Sequence, residues 1–111
     1  MIIVLSTYPD RNSAKKSARM LIEEGLAACV SIVPIESSIY NWKGKLMEER
    51  EFLLIIKTTE TRYKKLETAI KGSHPHSLPE IIRVPVAGGW KPYLDWVDRS
   101  GRLTGPRSRR S

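Results

Sequence analysis

The sequence predicts an α+β domain of the ferredoxin-like class, a split βαβ arrangement with the order β-α-β-β-α-β and a short C-terminal helix. Three observations support this prediction. The 111 residues suffice for one domain only, two segments show the helical spacing of apolar residues, and a long extended stretch with a hairpin turn lies between them. Such a domain has an antiparallel sheet with its helices on one face.

The first strand and helix are defined by their boundaries. Residues 1–7 are apolar and β-branched, which indicates a buried strand. Asp10 is a suitable N-cap, and Gly25 supplies the left-handed residue that ends many helices. The residues at helical spacing between them are small or aliphatic and predict close packing on a sheet: Ala14, Ala18, Leu21 and Ile22.

A long hairpin follows, with limbs at residues 26–42 and 45–58 and a turn at Lys43-Gly44. Seventeen extended residues span about 55 Å at about 3.3 Å each, whereas a compact domain of this size is roughly 35 Å across. We therefore expect the hairpin to bend or overhang, with a bend or bulge at Pro34. A partner subunit is the simplest cover for its outer apolar residues, and a coiled hairpin that covers itself is the alternative.

The second half of the chain repeats the helix–strand pattern. Thr59 or Thr61 can cap a helix that ends at Gly72. After a loop with two prolines, residues 81–86 form a fourth strand, and Pro85 places its end at a sheet edge. Residues 93–97 predict a short helix or an irregular packed segment. Residues 1–98 are thus expected to form the single domain.

The basic charge of the chain lies mainly at its C-terminus. Residues 1–98 contain 14 Lys and Arg against 12 Asp and Glu, whereas residues 99–111 contain five Arg and no acid. We interpret residues 99–111 as a mobile basic tail, which could contact phosphate backbones non-specifically or simply be solvated. Because the body is nearly neutral and the central-strand candidates are aliphatic, no specific nucleic-acid partner is expected. Those candidates are Val30, Ile32, Leu54 and Ile56.

Several function classes lose support from the composition. Apolar runs of at most five residues exclude a membrane span, and one cysteine with no basic leader favours the cytoplasm. Neither a Gly-x-Gly-x-x-Gly nor a Walker pattern is present. Cys29 lies within an apolar strand, where a thiol usually behaves as a small hydrophobe. With no evident nucleophile–base pair, the protein is not expected to be an enzyme.

Two histidines are the most informative polar residues. His74 and His76 flank Pro75 and precede Glu80, and imidazole is a good ligand for Cu(II), Zn(II) and Ni(II). The alternative is that one histidine caps the second helix and the other is solvated. Glu51 and Lys57, at the two ends of a buried strand, either line a cleft or only extend their charged groups into solvent.

The combined pattern resembles the CutA divalent-cation tolerance family, in motifs that run in order from the first strand to Trp96. The motifs are Leu26–Pro34 (LAACVSIVP), Ser38–Lys45 (SIYNWKGK), Glu51 with Leu54–Thr58 (LIIKT), His74-Pro75, Pro79–Ile81 (PEI) and Tyr93–Trp96 (YLDW). The resemblance implies a ferredoxin-like fold in a tight homotrimer whose long hairpin reaches across a neighbour. It also implies tolerance of divalent cations, notably copper, with no established reaction and no obligatory cofactor.

The resemblance also assigns residues to sites. Cys29 and His74 match positions linked with copper binding in bacterial members. His76 and Ser77 replace the usual Tyr-Glu of the family, so His76 offers a substitute nitrogen and the local ligand set is altered. The residues that match a cleft between subunits are Tyr40, Trp42, Glu51, Lys57 and Glu80.

Two functions follow from these assignments. The first is a trimeric protein that binds copper or a similar divalent cation. The alternative is a PII-like trimeric regulatory module that binds a small anion or metabolite in the intersubunit cleft.

Overall fold

The computed structural model describes residues 1–101 and has the predicted order of elements. The elements are β1 (Ile2–Tyr8), α1 (Arg11–Glu23), β2 (Cys29–Trp42), β3 (Lys45–Thr58), α2 (Glu60–Ser73), β4 (Ile82–Pro85) and α3 (Lys91–Arg99).

One antiparallel sheet of order β2-β3-β1-β4 confirms the α+β, ferredoxin-like prediction. β1 and β3 occupy the centre because each pairs with two neighbours. Their alternate residues pack with α1 and α2 in one core on one face of the sheet, including Val4, Leu54 and Ile56. Val30 and Ile32 lie on β2, which is an edge strand, so their expected place in a central strand was wrong.

Capping at both ends of α1 follows the sequence prediction. The Asp10 side chain accepts a hydrogen bond of 2.7 Å from the backbone N–H of Ser13. At the other end, Gly25 has φ 71° and the N–H of Leu26 donates to the carbonyl oxygen of Leu21 at 2.9 Å. This pairing is the Schellman motif, in which a left-handed glycine lets the chain satisfy the last carbonyl groups.

The end of α2 differs from the prediction. Gly72 lies inside the helix, which continues to Ser73, and His74 is the C-cap residue with φ −70° and ψ 139°. The helix ends there because the ring of Pro75 disfavours a helical conformation of the residue before it. At the N-terminus, Thr59 occupies the cap position, but its hydroxyl pairs with that of Thr61 at 3.1 Å and caps no backbone group.

The hairpin of β2 and β3 turns at Lys43 and Gly44, as predicted, with φ values of 52° and 82°. Two successive residues of positive φ match the twist of the strands in a two-residue turn. The predicted bulge at Pro34 was wrong. Pro34 pairs in register with Phe52, and the register instead shifts between Ile35 and Ser38. Because β2 is an edge strand, proline there breaks no ladder.

The outer part of the hairpin overhangs the domain. The molecule measures 46 × 32 × 26 Å and has a radius of gyration of 14.9 Å, against about 13 Å expected for a compact domain of this length. Ile39 and Leu46 are 65% and 81% exposed in the single chain. The overhang is therefore confirmed, and its cover by a partner subunit stays a prediction.

α3 follows the edge strand β4, whose C-terminal Pro85 agrees with the expected edge position. Lys57 places its Nζ 5.9 Å from the ring centroid of Tyr93, so α3 contacts the C-terminal end of β3. α3 includes Arg99, one residue beyond the predicted domain boundary, and residues 102–111 of the predicted tail lie outside the described residues. Among residues 1–101, no helix has the length and apolarity to span a membrane.

Candidate functional site

A groove of about 620 Å³ lies where β1 ends, between the outer hairpin and the loop that joins α2 to β4. It is open to solvent and combines aromatic, acidic and histidine side chains. Its lining residues are Thr7, Ser38, Ile39, Tyr40, Trp42, Met47, Glu49, Glu51, Pro75, His76, Ser77, Leu78 and Glu80.

His74 fixes the loop that forms one wall of this groove. Its Nε2 lies 2.8 Å from the carbonyl oxygen of Thr7, and its Nδ1 accepts the backbone N–H of His76 at 3.0 Å. Because a carbonyl oxygen only accepts, Nε2 carries a proton. Because Nδ1 accepts a hydrogen bond, it carries none, and the imidazole is therefore neutral. Both ring nitrogens are thereby engaged, so His74 offers no lone pair to a metal ion in this conformation.

The surroundings of His74 reinforce its neutral form. Its ring packs on that of Tyr8 with centroids 4.3 Å apart, and the Tyr8 hydroxyl is bonded to the Ser17 hydroxyl at 2.6 Å. Burial has the largest effect and lowers the pKa of His74 below its ordinary value. The hydrogen bond to the Thr7 carbonyl raises this pKa by less, and the proximity of His76 lowers it by the smallest amount. His74 is therefore a structural histidine at the end of α2.

His76 has the opposite character. Its side chain is exposed and lines the groove, with its ring centroid 5.4 Å from that of His74. Of the two histidines predicted as metal ligands, the structure makes His76 the accessible one.

Three carboxylates line the same groove, from Glu49, Glu51 and Glu80. Burial raises the pKa of Glu80, and the negative charge of Glu51 raises it further. Partial desolvation raises the pKa of Tyr40, with a further contribution from the Glu49 carboxylate. The groove thus concentrates negative charge that is partly removed from water.

Glu49 was not predicted to line the groove with Glu51 and Glu80. Residues two apart on a strand share a face, so Glu49 could have been inferred from Glu51. Tyr40 and Trp42, two apart on β2, complete the wall, and their place in a cleft between subunits stays a prediction.

Cys29 and Lys57 lie at the other end of the sheet. They are register partners of each other, and Lys57 is also the partner of Ile3, whereas the groove lies beside Thr7, the partner of Leu53. Four residues of β3 separate the two ends, or about 13 Å. Within one chain, strand register therefore separates Cys29 from the two histidines and Lys57 from the groove, and their predicted roles in a metal site and in a cleft between subunits stay predictions.

The described part of one chain contains no complete metal site. Within residues 1–101, no three His, Cys, Asp or Glu side chains converge closely enough to hold a metal ion. The groove supplies one accessible imidazole and several carboxylates, which fit part of a coordination sphere.

The chain is similar to known proteins over nearly its whole length. The family model described as CutA1 divalent ion tolerance protein matches residues 2–100. The divalent-cation tolerance protein CutA of Thermus thermophilus is 46% identical over 95 residues, which cover 86% of this chain and 92% of that protein. The chloroplastic CutA protein of Arabidopsis thaliana is 42% identical over 101 residues, and the match covers 91% of this chain and 56% of that longer protein.

Solved structures agree in fold. The CutA1 structure from Thermus thermophilus has a TM-score of 0.87 and 44% identity, covering 91% of this chain and 99% of that one. A structure described as the PII-like protein CutA from Nostoc has a TM-score of 0.86 and 33% identity, covering 94% and 100%. The fold, the ordered motifs and the family match agree, and the chain belongs to the CutA1 divalent ion tolerance family.

Proposed function

We propose that the groove binds a divalent cation, with Cu(II) the best match, and that His76 is its nitrogen ligand. The observation that carries this proposal is the position of His76 in one groove with Glu51 and Glu80. An imidazole with carboxylates suits borderline cations such as copper, whereas Mg²⁺ and Ca²⁺ prefer oxygen ligands alone. Several relatives of this chain are named divalent-cation tolerance proteins, which is consistent with such a ligand.

Electrostatics favour a cation in this groove. Glu51 raises the pKa of Glu80, so the two carboxylates repel each other when both are charged. A divalent cation between them removes this repulsion and is favoured by both charges. The fixed loop supports the same role, since His74 places the backbone of His76 at the groove wall.

The coordination sphere requires donors from outside the single chain, and we propose that a homotrimer supplies them. The hairpin exposes Ile39, Tyr40, Trp42 and Leu46 next to the groove, an apolar surface that a second copy would cover. Cys29 and Lys57 can join this site only from another copy of the chain.

The alternative, binding of a small anion or metabolite, is disfavoured by the groove of the single chain. Its described lining has three glutamates and neither Lys nor Arg. A lysine from another copy could reverse this balance, so anion binding stays the second candidate. The expectations that the protein is not an enzyme, needs no cofactor and lies in the cytoplasm also stay predictions. The related CutA protein of Arabidopsis is named chloroplastic, and a CutA structure from Archaeoglobus fulgidus is described as periplasmic.

A calorimetric Cu(II) titration of the intact protein, with glycine as a competing chelator, tests the proposal. We expect one tight site per subunit that is lost in His76→Gln and retained in the neighbouring control Ser77→Ala. Weak binding of several ions per subunit that the His76 variant leaves unchanged would contradict the proposal. Sedimentation equilibrium tests the trimer, which has a mass three times the 12.6 kDa of the chain.

A further inference from the structure

The excess of positive charge among the described residues lies in one layer of the fold. Helices α1 and α2 together contain eight Lys and Arg and three Asp and Glu, a net charge of +5. The other residues among 1–101 carry a net charge of −2. The near-neutral body predicted from the sequence therefore has its charges separated in space. The basic helices cover one face of the sheet, and the acidic groove lies elsewhere.

The basic residues of α1 repel one another and are placed unfavourably with respect to the helix dipole. Arg11, Lys15 and Arg19 form an i, i+4, i+8 row in which each neighbour has the same charge, and Lys16 lies three residues before Arg19. The first turn contains no acidic residue and the last turn no basic one, although the helix dipole favours the reverse arrangement. Arg11 also contacts the Phe52 ring, with its Cζ 5.6 Å from the ring centroid, so contacts within the domain leave Lys15 and Lys16 unexplained.

The basic layer keeps an excess of cations over acids. The ion pairs Arg83–Glu60 and Lys91–Asp95 use no Lys or Arg of α1 or α2. Apart from the half-buried Arg62, the basic side chains of the two helices are exposed. The helices also form one continuous surface, because Met20 of α1 and Lys65 of α2 line a common depression.

We infer that the layer formed by α1 and α2 binds the phosphate backbone of duplex nucleic acid without reading its sequence. The Arg11–Lys15–Arg19 row is about 12 Å long, and a duplex presents about seven phosphate charges over that length of its axis. No exposed large hydrophobic residue lies on α1 or α2, so these helices lack the side chains that insert into a membrane or stack on bases.

The end of α3 contacts this layer. The guanidinium group of Arg62 on α2 donates to the carbonyl oxygens of Val97 and Asp98, at 3.1 and 3.0 Å. The end of α3 is thereby held against α2, and four more arginines follow after Gly101.

Fluorescence anisotropy of the full chain with two 20-base-pair duplexes of unrelated sequence tests this inference, over a range of salt concentrations. We expect equal affinities for the two duplexes and a linear fall of log K with log salt. The variant Lys15→Gln/Lys16→Gln/Arg19→Gln should weaken binding by about tenfold or more and reduce the salt slope by about 3 units. The matched control Lys43→Gln/Lys45→Gln/Arg50→Gln removes three exposed cations from the hairpin and should bind more tightly than the helix variant.

Three outcomes would overturn the inference. Equal losses in the helix and hairpin variants would show that only total charge matters. Loss on deletion of residues 102–111, with no effect of the helix variant, would assign binding to the tail alone. Binding to vesicles with 30% anionic lipid but not to duplex would identify a membrane partner. Because none of these residues lines the groove, failure here leaves the cation proposal intact, and melting curves verify that each variant is folded.

Discussion

The Nε2 atom of His74 donates a hydrogen bond of 2.8 Å to the carbonyl oxygen of Thr7, which ties the end of α2 to the end of β1. The opposite ring nitrogen accepts the N–H of His76, so a single neutral imidazole connects a strand, a helix end and the groove loop. We therefore regard His74 as a positioning residue for the groove. This role does not require His74 to bind a metal ion directly.

Replacing His74 should disturb the fold more than replacing His76. His74→Ala removes two hydrogen bonds and the contact with the Tyr8 ring, and we expect a loss of about 1–2 kcal/mol in the free energy of unfolding. His76→Ala removes an exposed side chain and should change it by less than about 0.5 kcal/mol. Urea unfolding measures both, and equal effects would contradict the positioning role.

Stability should fall in mild acid because of His74. Its pKa is lowered in the folded protein, so the unfolded chain binds the proton more readily. The stabilisation is complete above the unfolded value of about 6.5 and is lost as the pH falls from there through the folded pKa. Urea midpoints at pH 7.5 and 5.5 should differ more for the wild type than for His74→Gln. Identical pH dependence of the two proteins would disprove this assignment.

Glu80 is predicted to favour function at the expense of stability. Glu80→Gln relieves its burial and its repulsion by Glu51, and the free energy of unfolding at pH 7 should rise by roughly 0.2–0.5 kcal/mol after allowance for solvent screening. The same change should weaken Cu(II) binding. The control Glu36→Gln, on the exposed hairpin outside the groove, should change neither quantity, and a destabilised Glu80 variant would count against the repulsion.

The hairpin turn offers a test of backbone conformation. An alanine side chain at Gly44 would meet no atom within 4 Å, but the φ of 82° strains any residue with a Cβ, so Gly44→Ala should cost about 1 kcal/mol. Lys43→Asn should have the opposite sign, because asparagine tolerates the left-handed φ of 52° better. Thermal unfolding of the two single variants decides this, and a shift in the same direction for both would refute the explanation.

The local elements could be predicted because short-range chemistry determines them. Asp10 and Gly25 mark the ends of α1, and Lys43-Gly44 marks the turn, through contacts with residues at most five positions away. The errors have equally local causes. The helix α2 was predicted to end at Gly72, but it continues to Ser73, because Pro75 restricts the backbone of His74 directly.

The groove was predicted only in part because it depends on strand register. Tyr40, Trp42, Glu51 and Glu80 were assigned to one cleft by family resemblance, and the chain brings them together. The same resemblance included Lys57, which the pairing with Cys29 and Ile3 places at the far end of the sheet. Neither composition nor spacing contains this long-range information.

The irregularity between Ile35 and Ser38 has a consequence for which residues can reach a ligand. Three steps along β2 there correspond to two along β3, from Glu51 to Glu49, so even-numbered residues change sides of the sheet. Val30 and Ile32 pack toward the core, whereas Tyr40 and Trp42 line the groove. The extra residue in β2 therefore determines which side of the sheet its even-numbered residues face beyond Ser38. Deleting one residue at position 36 or 37 would remove the bulge and restore regular pairing, with Tyr40 still opposite Met47 and the aromatic wall retained.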